Sequence, residues 1–253
     1  MKVRKRRRAP TSPLEKANRK SDQDFIADYL QPGAPGLLPW IREWKHPRTQ
    51  EDYTVDLVKS NLMQEDEIQA CFRLIEETSR SDYENSTTRW TPDSKLKEMR
   101  SEGLRYILVR DGDRSVRGFT SLMPTYEEGQ PVVYCYEIHL KPDLQGTRLG
   151  ALLMGFQATV AYNLPPISKV MLTCFLSNTR GLEFYKKAGF VRDDLSPEVR
   201  KLRGKMCTPD YVIMSKTISR IRGDETERMP AAACPPMANG GVSKKVAIGR
   251  EVG

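Results

Sequence analysis

The sequence has few cysteines and histidines and no long apolar run, and each shortage argues against a class of protein. Its five cysteines are widely spaced without a Cys-x-x-Cys pair, and its two histidines, His46 and His139, lack the spacing of metal ligands. We therefore expect a reducing compartment, no disulfide framework and no metal site. No run approaches the roughly eighteen apolar residues of a membrane span, so no membrane partner is expected.

The positive charge of the chain is confined to its ends. The 253 residues include 41 Lys and Arg and 33 Asp and Glu, a formal net charge of +8. Residues 2–8, KVRKRRR, contribute six positive charges, and residues 219–253 hold six basic and four acidic residues. The stretch over residues 9–218 is therefore neutral, with 29 residues of each sign. This distribution does not indicate a basic nucleic-acid surface on the body of the protein.

The two ends also differ from the middle in composition. Residues 2–8 lack the apolar core of a secretory signal, so we interpret them as a nuclear-localisation or polyanion-contacting arm, with a solvated tail as the alternative. Pro and Gly clusters without periodicity predict a disordered tail over residues 219–253. The expected organisation is a basic arm and bracing segment over residues 1–50, one domain over 51–218, and this tail.

Between the two ends, strand and helix periodicities alternate. The predicted strands cover residues 53–58, 104–110, 115–123, 131–140, 169–175 and 211–218. The predicted helices cover residues 14–30, 65–80 and 92–100, the segment after QGTRLG, and a segment capped by Asn178 and stopped by Gly189. This order predicts a single α/β domain with a mixed central β-sheet flanked by helices.

Glu137 lies in the middle of the otherwise apolar strand predicted over residues 131–140. Period-two alternation places it on one face with three residues: Val133, Cys135 and His139. The opposite face then carries three others: Tyr134, Tyr136 and Ile138. Burial raises the pKa of a carboxyl group, which suits a general base near neutral pH. The alternative is a buried glutamate held by a structural cation or by hydrogen bonds.

Two further segments carry potential ligand contacts. The loop QGTRLG over residues 145–150 precedes a helix, and its backbone N–H groups could bind a pyrophosphate, with a plain tight turn as the alternative. After the next strand, Asn178 precedes a helix that contains Tyr185. Both could contact a ligand across the neighbouring strand end, whereas helix capping and core packing are their alternative roles.

Together these segments resemble the GCN5-related N-acetyltransferase (GNAT) family over about residues 53–218. Within that family the chain resembles the histone-specific N-terminal acetyltransferase D (NatD) type. The resemblance is carried by four segments: VVYCYEIHL at 132–140, KVMLTCF with Asn178, DDLSP at 193–197 and YENS at 83–86. One departure concerns the loop, where the family has Gly at the position of Arg148. The arginine could crowd the phosphates or supply a charge to them.

The resemblance implies the GNAT fold and transfer of acetyl from acetyl-CoA, without a metal, to the N-terminal serine of histone four and histone two-A, which begin Ser-Gly-Arg-Gly. It implies Glu137 as the general base and Tyr185 as the acid that protonates the thiolate. The implied cofactor contacts are Ile138, His139, Leu140, Gly146, Thr147, Arg148, Leu149, Gly150, Ala151 and Asn178. The implied substrate contacts are Tyr83, Glu127, Tyr136, Thr173 and Tyr211.

We also expect a monomer, located in the nucleus and the cytoplasm, with the basic residues 2–8 contacting an import receptor or, weakly, nucleic acid. The acidic pair Glu127-Glu128 either meets the substrate's arginine or forms a solvated loop face. Two other functions stay open. One is acetylation of a lysine or a small amine, and the other is a catalytically weak chromatin-binding module in which Arg148 blocks the cofactor.

Overall fold

The computed structural model of the protein describes residues 11–202 and 205–220. The arm predicted over residues 2–8, and the tail predicted over 219–253 except for its first two residues, lie outside these ranges.

Within the described residues the helices are α1 (Pro13–Arg19), α2 (Asp22–Tyr29), α3 (Glu65–Glu84), α4 (Pro92–Met99), α5 (Leu149–Asn163) and α6 (Thr179–Lys187). The strands of the main sheet are β1 (Glu43–Lys45), β2 (Asp52–Lys59), β3 (Arg105–Arg110), β4 (Val116–Glu127), β5 (Gln130–Leu140), β6 (Lys169–Phe175), β7 (Val191–Arg192) and β10 (Tyr211–Thr217). Strands β8 (Arg200–Leu202) and β9 (Lys205–Cys207) form a separate two-stranded sheet.

The main sheet is mixed, and its one parallel pair lies near the centre. The strand order is β1-β2-β3-β4-β5-β6-β10-β7, and β5 runs parallel to β6 while the other neighbours are antiparallel. Helix α5 connects β5 to β6, as a parallel pair requires. The predicted fold class, a single α/β domain with a mixed sheet flanked by helices, is confirmed.

Helices cover both faces of the sheet. On one face α3 packs over β4 and β5, where the Thr78 hydroxyl lies 2.6 Å from the Nδ1 atom of His139. Helix α4 packs against α3 and contacts β5 through the ion pair of Lys95 with Glu137. On the other face α5 packs over β4, β5 and β6, and the Gln157 amide donates to the Thr120 hydroxyl at 2.8 Å. Both faces of β5 are therefore buried, which explains why its sequence is apolar along nearly its whole length.

The helix predicted over residues 14–30 is two helices. Ser21 interrupts it because its side chain accepts a hydrogen bond from the Asp24 backbone N–H and so caps α2. The residue before it, Lys20, has extended backbone angles and ends α1. Residues of both helices, including Leu14 and Phe25, are buried in the same core as the sheet.

The alternation predicted along β5 is interrupted by a β-bulge at Tyr136. Ser121 of β4 is opposite Glu137, but the next residue, Leu122, is opposite Cys135, so Tyr136 is the extra residue. As a result Cys135 lies on the α5 face, 4.0 Å from the sulfur of Met154. The prediction that Glu137 shares a face with Cys135 and Val133 is therefore wrong.

Candidate active site

Strands β5 and β6 separate soon after they begin. They pair only between Val133–Tyr134 and Val170–Met171, although both continue for several residues. Beyond that point the second half of β5 remains paired to β4, and β6 remains paired to β10. The backbone edges that face each other across this opening are available to hydrogen-bond a ligand lying between the strands. The predicted cofactor contacts Ile138, His139 and Leu140 are on this half of β5.

Glu137 lies beside the opening and is almost completely enclosed, with 1% of its surface exposed. One carboxylate oxygen accepts a hydrogen bond from the Lys95 ammonium at 2.8 Å. The other lies 2.6 Å from Nε2 of His139, which donates to it. A buried carboxylate is stable in an ionised form only when such partners replace the lost water, and here each oxygen has one.

The pKa of Glu137 is lowered from its ordinary value, contrary to the prediction. Burial acts to raise this pKa, as predicted, but the positive charge of Lys95 and the hydrogen bond from His139 outweigh burial. Lys95 shows the reciprocal effect, since burial acts to lower its pKa and the charge of Glu137, with Tyr83 and Glu98, raises it well above the usual value. The pair is thus a carboxylate and an ammonium at neutral pH. The sequence suggested either a general base or a buried glutamate held by a cation, and the candidate base is in fact held by the Lys95 ammonium.

The imidazole of His139 has a role that the sequence did not predict, while its predicted backbone contact with the cofactor stays a prediction. The fully buried ring contacts Glu137 through Nε2 and the Thr78 hydroxyl through Nδ1. The Thr78 hydroxyl also lies 2.7 Å from the Leu74 carbonyl within α3. This arrangement fixes the imidazole ring against α3 and holds the second oxygen of Glu137 in place.

A cleft of about 1130 Å³ opens between α4, the α3–α4 connection and the strand β5. Two predicted substrate contacts, Tyr83 and Tyr136, line it together with Trp90 and Lys95. Lys95 lies between this cleft and Glu137, and its ammonium is 5.3 Å from the centre of the Tyr83 ring. The bulge described above turns Tyr136 into the cleft wall. An ammonium and aromatic rings therefore line the cleft, and the buried carboxylate lies directly behind the ammonium.

Aromatic rings form the wall of the cleft nearest to β6. The Tyr83 ring lies 5.2 Å from Trp90 and 5.1 Å from Phe175, both measured between ring centres. Tyr211, another predicted substrate contact, packs against this group. The fourth, Thr173, is buried, and its hydroxyl is 2.7 Å from the Tyr134 hydroxyl. These tyrosines bring polar atoms and apolar rings to the same wall.

The remaining predicted substrate contact, Glu127, ends strand β4 and is half-buried. It is opposite Gln130, and the two residues between them, Glu128 and Gly129, both have positive φ values of 46° and 79°. That is the backbone of a tight two-residue hairpin turn. Glu128 is exposed at its tip, whereas Glu127 is half-buried.

The predicted pyrophosphate loop leads directly into the N-terminus of α5. Gly146 and Arg148 have φ values of 70° and 68°, and Arg148 is the residue before the helix. A left-handed backbone explains why a glycine is expected at this position. The Arg148 side chain is exposed and leaves the loop open. Leu149, Gly150 and Ala151 form the first turn of α5, where backbone N–H groups lack partners within the helix.

Three other predicted residues have visible structural roles. The Thr147 hydroxyl donates to the Leu144 carbonyl at 2.6 Å and holds the loop. The Asn178 side chain accepts a hydrogen bond from the Gly181 N–H at 2.9 Å, which is the capping role. Tyr185 is fully buried with its ring 5.9 Å from that of Phe190, which is the packing role. Their ligand contacts stay predictions.

Sequence reasoning missed Lys95 and Trp90. A signal for Lys95 was present, since Met99 lies four residues later on the same helix and is buried, which places Lys95 on the buried face. Trp90 lies in the irregular connection between α3 and α4, where no periodicity indicates which side chains point inward. The pairing of Lys95 with Glu137 could not be predicted without knowing how α4 packs beside β5.

Two general features of the described residues complete the site. No group of three or more His, Cys, Asp or Glu side chains among them could hold a metal ion. In the same part of the chain, none of the helices has the length and apolarity needed to cross a bilayer. The cysteines with described side chains and no disulfide, Cys71, Cys135 and Cys174, are buried.

Comparison with known proteins identifies a family and one curated relative. The Acetyltransferase (GNAT) family matches residues 65–190, about half of the chain. N-alpha-acetyltransferase 40 of Saccharomyces cerevisiae is 34% identical over 122 residues. That match covers 41% of this chain and 42% of the relative, so less than half of either protein is aligned.

Solved structures show partial likeness. The ribosomal-protein-S18-alanine N-acetyltransferase from Escherichia coli is 14% identical with a TM-score of 0.46, covering 67% of this chain and 97% of that chain. Arabidopsis thaliana NAA60, solved with a bisubstrate analogue, is 11% identical with a TM-score of 0.47, covering 65% of this chain and 98% of that chain. The family match spans the segment from α3 through α6 that builds the opening between β5 and β6, and the chain belongs to the acetyltransferase (GNAT) family.

Proposed function

We propose that this protein transfers acetyl from acetyl-CoA to the α-amine of a protein N-terminus, with the serine of the Ser-Gly-Arg-Gly start of histone four and histone two-A as substrate. The observation that carries the proposal is Glu137, a buried carboxylate behind Lys95 of the cleft wall and beside the opening between β5 and β6. The likeness to N-alpha-acetyltransferase 40 supports an N-terminal amine as the acceptor.

The opening between β5 and β6 suits a long, thin ligand such as CoA. The unpaired backbone edge at Ile138–Leu140 matches the amides of a pantetheine arm, and the start of α5 suits the pyrophosphate because a helix N-terminus attracts anions. Acetyl-CoA supplies an acetyl group activated as a thioester. The residues of this chain must then bind the amine, remove its proton and exclude water.

Glu137 performs the proton step. An α-amine has a pKa of about 8, so most of it is protonated at neutral pH and cannot attack a carbonyl. Glu137 accepts the proton through a bridging water, the amine nitrogen bonds to the acetyl carbon, and the carbon–sulfur bond breaks to release CoA. Backbone N–H groups of β5 stabilise the negative charge that develops on the acetyl oxygen. Tyr185 is proposed as the acid that protonates the thiolate.

Recognition of Ser-Gly-Arg-Gly is assigned to the cleft. Tyr83, Tyr136 and Tyr211 offer hydroxyl groups with aromatic surface. Thr173 adds a further hydroxyl group, which lies on β6. Buried polar groups discriminate strongly because a wrong substrate leaves them unpaired. Glu127 is assigned to the substrate's arginine, since a carboxylate pairs well with a guanidinium. A neutral body with local acidic groups suits such a basic peptide.

The test uses three synthetic peptides and radiolabelled acetyl-CoA. We expect labelling of a peptide that begins Ser-Gly-Arg-Gly with a free α-amine and contains an internal lysine, and no labelling when the α-amine is already acetylated. A Ser-Gly-Ala-Gly peptide should be labelled at least about tenfold less efficiently, because one charge-assisted hydrogen bond contributes about 1.5–3 kcal/mol. Labelling of the blocked peptide would favour lysine acetylation instead.

Arg148 provides a test of the cofactor site by isothermal titration with acetyl-CoA. Replacement of Arg148 by Gly should weaken binding about threefold to fivefold, because an exposed arginine beside a pyrophosphate contributes on the order of 1 kcal/mol. Arg148→Lys keeps the charge and should bind nearly as the natural protein does. Tighter binding by the glycine variant would show that the arginine crowds the phosphates. Absence of binding in the natural protein would favour the chromatin-binding module.

We also propose that the protein is located in the nucleus and the cytoplasm, where histones are used and made. This proposal depends on the basic residues 2–8, which carry six positive charges. A fluorescent fusion that lacks residues 1–8 should lose nuclear enrichment.

A further inference from the structure

Lys95 is enclosed more completely than a lysine on a short surface helix usually is. It lies on α4, only 5% of its surface is exposed, and its ammonium donates to Glu137 at 2.8 Å and to Glu98 at 2.9 Å. The aromatic face of Tyr83 lies 5.3 Å away. Two carboxylates and a ring face make a well-defined site for an ammonium ion, and the chain supplies that ion itself.

The position of Lys95 relative to the cleft is as informative as its partners. Lys95 lines the cleft, whereas Glu137 lies beneath it with 1% of its surface exposed. A proton from a bound amine must therefore reach Glu137 past the lysine or beside it. We propose that Lys95 is a positioning residue that covers Glu137 and holds it as a carboxylate. This inference rests on the proposed function of Glu137 as the base.

Glu137 needs Lys95 because a buried carboxylate without a nearby positive charge has a high free energy. Helix α4 contributes Lys95 and Glu98, β5 contributes His139, and α3 and β3 contribute the hydroxyl groups of Tyr83 and Tyr106, which also act on this site. Of these groups, Lys95 contributes the largest effect that favours the ionised carboxylate. Without it, burial would favour the protonated acid, and a protonated Glu137 cannot accept a proton.

The lowered pKa of Glu137 keeps it ionised throughout the neutral range and into mild acid. In a Lys95→Met variant burial dominates, so the pKa rises above its ordinary value and the protonated fraction grows as the pH falls. The ratio of the variant's kcat to the natural protein's kcat removes the titration of the substrate amine, which is common to both.

The experiment compares four proteins at saturating acetyl-CoA and saturating Ser-Gly-Arg-Gly peptide between pH 6 and pH 8.5. For Lys95→Met the kcat ratio should fall as the pH is lowered from 8.5 to 6, by about tenfold for each pH unit below the raised pKa of Glu137. For Lys95→Arg, which keeps the charge, the ratio should stay flat. Lys16→Met removes an exposed lysine of α1 that does not line the cleft and should keep a ratio near one. A flat ratio for a folded Lys95→Met variant overturns the inference, because a merely structural loss is independent of pH.

A second measurement needs neither turnover nor a folded Lys95→Met variant. The carboxyl carbon of Glu137 in the natural protein, assigned by its loss in Glu137→Gln, should titrate in a ¹³C NMR series below the ordinary glutamate value of about 4.3. Titration above that value overturns the inference. A protein that acetylates no peptide but shows the low titration would refute the proposed function and leave the role of Lys95 intact.

Discussion

Replacing Glu137 by glutamine is expected to lower kcat for a Ser-Gly-Arg-Gly peptide by about 10²- to 10⁴-fold, the usual contribution of a general base. The amide keeps the shape of the side chain but cannot accept the proton of the amine. The effect should persist from pH 6 to pH 9, because glutamine does not titrate. Initial rates with purified enzyme at saturating acetyl-CoA would measure it.

The same substitution should also destabilise the protein. It leaves the Lys95 ammonium buried with only one of its two carboxylate partners, and breaking a buried ion pair typically costs about 3–5 kcal/mol. Rates must therefore be normalised to the folded fraction, measured by circular dichroism. The matched control is Glu77→Gln, which breaks an exposed pair with Lys141 and should change kcat less than about twofold. A rate for Glu137→Gln equal to that of the natural protein would refute the assignment of the base.

Replacing Arg105 by methionine is expected to lower the free energy of unfolding by about 3–5 kcal/mol. Arg105 is completely buried at the start of β3, where it pairs with Asp22 and donates to the Lys20 carbonyl at 2.6 Å. Its guanidinium lies 4.2 Å from the centre of the Phe25 ring. The substitution leaves a carboxylate and a carbonyl without this partner at the junction of α1 and α2. Urea denaturation would measure the loss.

The matched control for Arg105 is Arg100→Met. Arg100 forms an ion pair with Glu65 at 2.6 Å, but both side chains are exposed, so its loss should cost less than about 1 kcal/mol. We also expect proteases to cut within residues 11–30 of the Arg105 variant before they cut the sheet, because that residue joins α1 and α2 to β3. Equal losses for the two variants would contradict the bracing role.

Much of the secondary structure was predictable because its signals are local. The apolar spacing of Ile68, Cys71, Phe72 and Ile75 describes one face of α3, and the β-branched and aromatic run of β5 describes a buried strand. The N-cap role of Asn178 was recognisable for the same reason, since capping involves residues only three positions apart.

The bulge at Tyr136 could not be predicted, since it is a property of how β5 pairs with β4 rather than of β5 alone. It also determines the site, because it places Tyr136 in the cleft wall while Glu137 and Cys135 point to opposite faces of the sheet. The separation of β5 from β6 is likewise a relation between two strands that are almost thirty residues apart in the chain.

The chemistry of Glu137 was also predictable only in part from the sequence. A carboxylate inside an apolar strand is visible in the amino-acid order, and so are the resemblance to the GNAT family and the confinement of net charge to the ends. Its ionisation depends on Lys95, which lies 42 residues earlier along the chain, and on His139. Spacing along a chain shows which side chains lose water on folding, but their charge state depends on which distant groups replace that water. For this protein the packing of α4 beside β5 supplied the ammonium that lowers the pKa of Glu137, whereas burial alone predicted a raised pKa.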